Sequence, residues 1–470
     1  MMGSGVRPGR GGQTIRFRRE VPVAGEFDLV VAGGGMAGFG AACAAGRAGL
    51  RTLLVERQAQ LGGMGTAGGV GNFCYGFGAP IGNGRVFDDV LEAMASAGAI
   101  GERAGWQVKR SAVLERENHT NDHAVLPLVL QRLARAAGVE LLLCTDVVGA
   151  ATDRGRITEL VLHNRSLLQA MRAPLYVDAT GDAILARHAG ARTLPVADPV
   201  LPQMIKPSLM IFLRRIDGPA PARQPLLLRH YGAGEEPDYS VWAEPRGRTS
   251  LKFKLFDYTF DTGSGAGLSG AEEEMRARIP EVVRHFQEHH DARFVFDFAA
   301  PVLGVREGRR VRGDYVLGVG DVRAGSQFAD SVAHGSFTID AHNHDEVVPP
   351  YQIPYRSLVV AGLANCFVAG RCFSADRPAM ASARIMATSC LAGQAVAHAA
   401  ALALCHRTAI REVDTAAVRD RLLADSRDPQ HMRDRLVPRD HGGGPPPAVP
   451  TDDEPPLVPP PAGPSACMMA

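Results

Sequence analysis

The segment FTIDAHNHDEVVPPYQIPYRSL, residues 337–358, places His342, His344 and Asp345 close together in a polar stretch. Imidazole titrates near neutral pH, which suits either histidine to take a proton from a substrate as it is oxidised. A His-x-His beside an acid also invites a metal reading, but two histidines without a third firm ligand make a poor zinc site. Surface histidines packed on proline and tyrosine account for the same residues equally well. Positions 342 and 344 share a face if the stretch is extended, so both are candidate proton acceptors. The basic run REGRRVRGDY holds Arg306, Arg309, Arg310 and Arg312. Guanidinium groups clamp carboxylates in bidentate fashion, which makes Arg306 a candidate substrate contact. Alternating arginines of this kind also pair with acids where two domains meet.

A more specific pattern lies in residues 27–57, FDLVVAGGGMAGFGAACAAGRAGLRTLLVER. Leu29 to Ala32 predict a buried parallel strand, and Gly33, Gly35 and Gly38 stand in G-x-G-x-x-G spacing where that strand must turn into a helix from Met36 to about Ala48. The first glycine permits the tight turn, the second lets backbone approach a pyrophosphate, and the third lets helix pack closely on strand. Free N–H groups around Met36 and Ala37, at the positive end of the helix dipole, then face the phosphates. Glu56 ends the next apolar run at the distance of an acid that accepts hydrogen bonds from ribose hydroxyls. Strand, glycines, helix, strand and acid within about 30 residues predict a dinucleotide site.

The 470 residues allow two or three domains with a large core. Charge nearly cancels, 51 basic against 50 acidic residues, so no global field points to nucleic acid or an anionic membrane. No apolar run is read as long enough to span a membrane, and the N-terminus lacks the pattern of a signal peptide. A soluble, cytoplasmic protein with neither nucleic-acid nor membrane partners is expected. Eight scattered cysteines show no zinc spacing and read as reduced, mostly buried thiols, with no metal. Residues 1–19, rich in glycine and arginine, and the Pro/Gly-rich 439–470 are expected to be disordered. The final CMMA formally fits a prenylation box, but a disordered tail explains it better.

Between these ends the pattern shifts twice. Residues 20–194 alternate strands and helices, including VELLLCTDVVGAATD as one strand and the arm ITELVLHN. Residues 195–348 carry short alternating stretches, PSLMIFLRRI and TSLKFKLFDYTF, and one helix, SGAEEEMRARIPEVVRHFQEHH. Residues 349–410 return to a buried strand, NCFVAG, and an alanine-rich helix, and 411–438 add a helical extension. A dinucleotide domain interrupted in this way favours a flavin over a nicotinamide cofactor. Three further features agree. Gly62, Gly63 and Gly65, with Arg57, Met64 and Thr66 around them, form a second glycine turn suited to a long, extended cofactor. Ala179, Thr180 and Gly181 end the strand YVDATGDA with small residues that let the chain pass a cofactor. FVAG feeds Gly370, Arg371 and a helix through Ala381, Ala383 and Arg384, whose N-terminus favours the negative charge of a reduced flavin pyrimidine.

The set VVAGGGMAGFGAA, LLVERQAQLGGMGTAG, DATGDAILARHAGA, REGRRVRGDYVL, IPYRSLVV and NCFVAGRCFSADRPAMASARIMATSCLAGQAVAHAA resembles the FAD-dependent oxidoreductase family of the glutathione-reductase-like FAD/NAD(P)-binding superfamily, over roughly residues 20–406. The resemblance implies an α/β fold, a Rossmann-like FAD-binding domain with an inserted α+β substrate domain rich in β-structure. It implies FAD as cofactor, with Gly33, Gly35 and Gly38 at the pyrophosphate, Glu56 at the ribose, Gly62 to Gly65 at its centre, the backbone near Val147 at adenine, and Gly370, Arg371 and the start of the Ala381 helix at the isoalloxazine end.

No C-x-x-x-x-C follows the first helix, and GVGDVRAG (318–325) has the wrong spacing for a second nucleotide fingerprint. Neither disulfide reduction nor a dedicated NAD(P)H domain is expected, so electrons leave to oxygen or an external acceptor. The expected reaction is two-electron oxidation of a small organic substrate at a C–OH or C–N bond by hydride transfer to flavin N5. A flavin-dependent monooxygenase or tailoring enzyme and a flavin-containing scaffold subunit are the alternatives.

Overall fold

The computed structural model describes residues 18–74, 84–103, 118–165, 167–194, 196, 205–217, 238–243, 248–254, 260–341 and 344–438. The two termini read as disordered lie outside these residues apart from Arg18 and Arg19, and His342 lies outside them too.

Five short apolar strands, Leu29–Ala32, Thr52–Val55, Glu140–Leu142, Leu175–Asp178 and Cys366–Val368, form one parallel sheet in the spatial order fifth, fourth, first, second, third. Parallel strands are covered on both faces, which is why LVVA, TLLV and LYVD are buried along their whole length. Strand order reverses between the first strand and the fourth, and ligands of open α/β sheets bind outside the strand ends at such a switch point.

The helix Met36–Arg47 packs on this sheet and against the long helix Met386–His406. The alanines and glycines of both helices let their backbones meet. A Cβ added to Gly40 would stand 2.3 Å from the Cys390 carbonyl oxygen, and one on Gly393 would stand 2.0 Å from that of Ala37. Met386–His406 also corrects the expectation about apolar runs: its 21 residues are long and apolar enough to cross a membrane, although 89% of its most apolar window is buried inside the protein.

The expected single strand VELLLCTDVVGAATD is two. Glu140–Leu142 joins the parallel sheet, the backbone turns at Cys144 with φ +51°, and Asp146–Asp153 enters a separate sheet with Arg156–Asn164, Leu167–Arg172 and Val23–Glu26. A third, antiparallel sheet runs Asp238–Ala243, Arg248–Lys254, Ser208–Arg215, Phe294–Ala299. Leu209, Ile211, Leu251 and Phe253 alternate onto one face, in a core of their own with Met275, Val282 and Phe286. Those last three belong to helices Gly265–Ala277 and Ile279–His289, two helices where the sequence pattern predicts one. Pro280 falls in the first turn of the second helix, where its missing N–H costs nothing.

Cross-strand pairing of Met210 with Lys252 and of Trp242 with Ser250 puts Ser208, Met210, Trp242 and Lys252 on the opposite face of this sheet. That face borders the cleft described next.

Candidate cofactor and substrate cleft

The chain leaves the first parallel strand through Gly33, whose φ is +100° and whose added Cβ would stand 2.4 Å from the Ala179 carbonyl oxygen. A Cβ on Gly38 would stand 1.8 Å from the Gly33 carbonyl oxygen. Gly35 differs. Its φ is −65°, which any residue adopts, and an added Cβ would meet nothing within 4 Å. Protein contacts alone demand glycine at 33 and 38 and leave position 35 open. Gly35 caps the first helix without a side-chain hydrogen bond, and Gly35, Met36 and Ala37 line a cleft of about 1700 Å3, its open mouth included.

The second glycine turn lies against the first. The Gly62 N–H donates to the Gly34 carbonyl oxygen at 2.8 Å, and Gly62 and Gly63 take φ values of +106° and +54°. Glu56 ties the first turn to its own strand end, accepting from the N–H groups of Gly34 at 2.6 Å and Gln58 at 2.8 Å. Burial raises the Glu56 carboxyl above its ordinary range, against the pull of these two donors. A third turn closes the floor. Fully buried Asp178 accepts from the Thr180 N–H at 3.0 Å, the Thr180 hydroxyl at 2.7 Å and the Ala186 N–H at 2.9 Å. It thereby presents Ala179, Thr180 and Gly181 to the cleft.

Of the expected cofactor contacts, Gly33, Gly35, Met36, Ala37, Glu56, Arg57, Gly62, Gly63, Met64, Ala179, Thr180, Gly181, Gly370, Arg371 and Arg384 line this one cleft. Five do not. Gly38 lies behind the turn it makes possible, and Gly65 faces Met386 and Leu126. The Thr66 hydroxyl is spent on the Leu61 carbonyl at 2.7 Å. Val147 belongs to the separate sheet entered after Cys144, and Ala383 is buried at the end of a short helix.

The return of the chain after Gly370 corrects a further expectation. The helix through Ala381 is only Arg377–Ala383, capped by Asp376, which accepts from the Ala379 N–H at 2.8 Å. After a break at Arg384 and extended Ile385, Met386–His406 begins anew, and Ile385, Met386 and Ser389 line the cleft. The helix N-terminus at the cleft is this second one.

The rest of the wall is cationic. Arg306, Lys252 and Arg384 line it around Asp340. A single Asp340 oxygen, Oδ2, accepts from Nη2 of Arg306 and, at 2.7 Å, from Nη2 of Arg384. Burial pulls the Asp340 carboxyl upward, but Arg306, Arg384, Lys252 and Lys254 outweigh it and hold the group well below the usual carboxylate range. Lys252 lies over the Trp242 ring at 4.8 Å. Burial, with Arg306 and then Lys254 beside it, pushes its ammonium down to about 7, against the opposing pull of Asp340 and Cys74. Burial and Arg306 push the Arg384 guanidinium down to about 10.

The other arginines of the basic run serve the framework. Arg309 donates to the Asp182 carbonyl oxygen at 3.3 Å, buried Arg310 pairs in register with Leu194, and Arg312 is exposed. His344 opens the strand His344–Glu346, paired with Ala341 of the strand that carries Asp340. The described part of that strand does not extend to the His344 side chain. Sequence reasoning missed Lys252, Trp242 and Asp340.

A family model described as FAD dependent oxidoreductase matches residues 28–422. The chain belongs to this family. No curated protein gives a sequence match. Among solved structures it is similar to a geranylgeranyl bacteriochlorophyll reductase-like protein from Thermoplasma acidophilum, at 14% identity and a TM-score of 0.45 over 87% of this chain and 84% of that one. It is similar to the flavin-dependent brominase Bmp2, at 13% identity and a TM-score of 0.44 over 84% and 82% of the two chains. A p-nitrophenol 4-monooxygenase, PnpA, from Pseudomonas putida DLL-E4 gives 12% identity and a TM-score of 0.45 over 86% and 85%. Identities this low say nothing of substrate or reaction.

FAD is the cofactor of this FAD-dependent oxidoreductase. The cleft fits it. Gly35 is a cradle that a Cβ would fill with no protein contact to forbid it, beside an uncapped helix N-terminus of the kind that binds phosphate. Glu56 lines the same wall.

Proposed function

We propose that this FAD-dependent oxidoreductase removes two electrons and two protons from a small organic molecule at a C–OH or C–N bond, and that electrons leave to oxygen or an external acceptor. FAD, when bound, supplies the hydride acceptor at N5. Gly33, Gly35, Gly63, Glu56, Ala179 to Gly181, Gly370 and Arg371 would hold it, in the extended manner of glutathione-reductase-like proteins. The reading rests on one observation: the cleft bordered by the glycine turns is also bordered by Lys252. As the hydride leaves carbon, the neutral amine of Lys252 takes the hydroxyl or amine proton. An acceptor with a pKa near the working pH suits this step, and Lys252, pushed down to about 7, is such a group. Met210 and Trp242 line the cleft from the same sheet face. The strand that pairs with that of Asp340 begins at His344, so His344, with His342 two residues before it in the sequence, is a second candidate for the same proton.

Among the groups facing Lys252 are Arg306, Lys254, Asp340, Cys74 and the Trp242 ring. Only the deprotonated amine accepts a proton, so the rate of anaerobic flavin reduction should rise with pH and level off above about 7. Stopped-flow absorbance with a panel of small alcohols, amines, hydroxy acids and amino acids measures this. A rate that is flat or falling across that range contradicts the role of Lys252.

A further inference from the structure

We propose that the Arg306–Asp340–Arg384 cluster is the binding site for a carboxylate group of the substrate, so that this enzyme acts on small organic acids with an apolar body rather than on neutral alcohols or amines. The inference rests on the oxidoreductase reading above and adds the substrate class to it.

The cluster carries more hydrogen-bond donors than the protein satisfies. Arg306 and Arg384 are mostly buried, with 11% and 14% of their side-chain surface exposed, yet their Nη2 atoms share one oxygen of one carboxylate. The Nε of Arg384 is buried without a partner among the described residues. Buried donors are normally paired, and leaving a charged one unpaired is costly. The charges agree, since the guanidinium groups of both Arg306 and Arg384 meet at one carboxylate, that of Asp340. A substrate carboxylate supplies both missing parts, a negative charge and two acceptor oxygens that match the planar fork of a guanidinium. Trp242, Phe337, Met210 and Val305 line the same cleft. That wall suits a carboxylate on an apolar body better than a polyphosphate, which would need polar partners along its length.

The test uses the full-length FAD-loaded protein and the isosteric pair benzoate and benzamide, with binding followed by the flavin difference spectrum and by calorimetry. Benzoate should bind more tightly than benzamide by about tenfold to a hundredfold, the size of one hydrogen bond between charged groups. Arg384→Gln and Arg306→Gln should each remove that preference while leaving benzamide affinity unchanged. If a glutamine variant loses flavin or fails to fold, Arg384→Lys keeps the charge without the fork and should retain part of the preference. Equal affinity for the two probes overturns the proposal, including no binding of either up to its solubility limit. So does a variant that weakens both equally. If benzoate is preferred while no hydroxy or amino acid bleaches the flavin, the carboxylate site stands and the oxidation reading falls. If neutral alcohols bleach the flavin while the probes bind alike, the oxidation reading stands and the carboxylate site falls.

Discussion

Gly35→Val should yield a folded protein that purifies without flavin. Position 35 has an ordinary backbone conformation, and a Cβ there meets no protein atom within 4 Å, so the fold has no objection to a side chain. The cofactor does, because the space that a valine would fill is where a pyrophosphate must approach the helix N-terminus. Gly38→Ala should behave in the opposite way. Its methyl group would stand 1.8 Å from a backbone oxygen, so strand and helix must separate, at a cost at or beyond the top of the roughly 1–3 kcal/mol typical of overpacking. Circular dichroism and the ratio of flavin to protein absorbance distinguish the two outcomes. Stoichiometric flavin in the Gly35→Val protein would remove the pyrophosphate from this turn.

Lys252→Met should keep its flavin and slow flavin reduction by about a hundredfold or more, as expected for the loss of one positioned proton acceptor. Methionine keeps an unbranched apolar stem against Trp242 and removes only the amine, so stability and flavin content serve as internal controls. The pH dependence of the rate through neutrality should vanish with it. Reduction at the wild-type rate would pass the role to His342 and His344, to be tested as single and double alanine variants.

The two halves of this cleft differ in how far the sequence reveals them. The glycine turns are legible because each glycine has a local cause. The positive φ of the turn at Gly33 and the contact of Gly38 with the Gly33 carbonyl are set within a few residues, although the atoms nearest Gly33 belong to distant Ala179 and Thr180, and Glu56 follows at the end of the next strand. The cationic wall has no such spacing, since residues 252, 306, 340 and 384 meet only through tertiary folding. A weak trace of Lys252 does exist. In TSLKFK, Leu251 and Phe253 alternate with Ser250, Lys252 and Lys254, so the lysines must share the face opposite a core. Alternation cannot tell a cleft from solvent, and the polar face of an antiparallel sheet usually meets water. Asp340 has no spacing signature because its arginine partners lie 34 residues before it and 44 residues after it in the chain. The helix break was hidden for a different reason. ASARIMATS contains neither proline nor glycine, so local propensity favours one continuous helix and only packing sets Ile385 extended. The division of VELLLCTDVVGAATD at Cys144 is hidden likewise, since a positive φ at a cysteine has no signal in composition.

The most direct measurement is the visible absorption spectrum of the purified full-length protein under anaerobic conditions, before and after adding small hydroxy and amino acids with no nicotinamide present. Flavin bands that bleach with one of these acids are the predicted result. Bleaching that appears only after NADPH is added, or a protein that binds no flavin at all, would contradict the account.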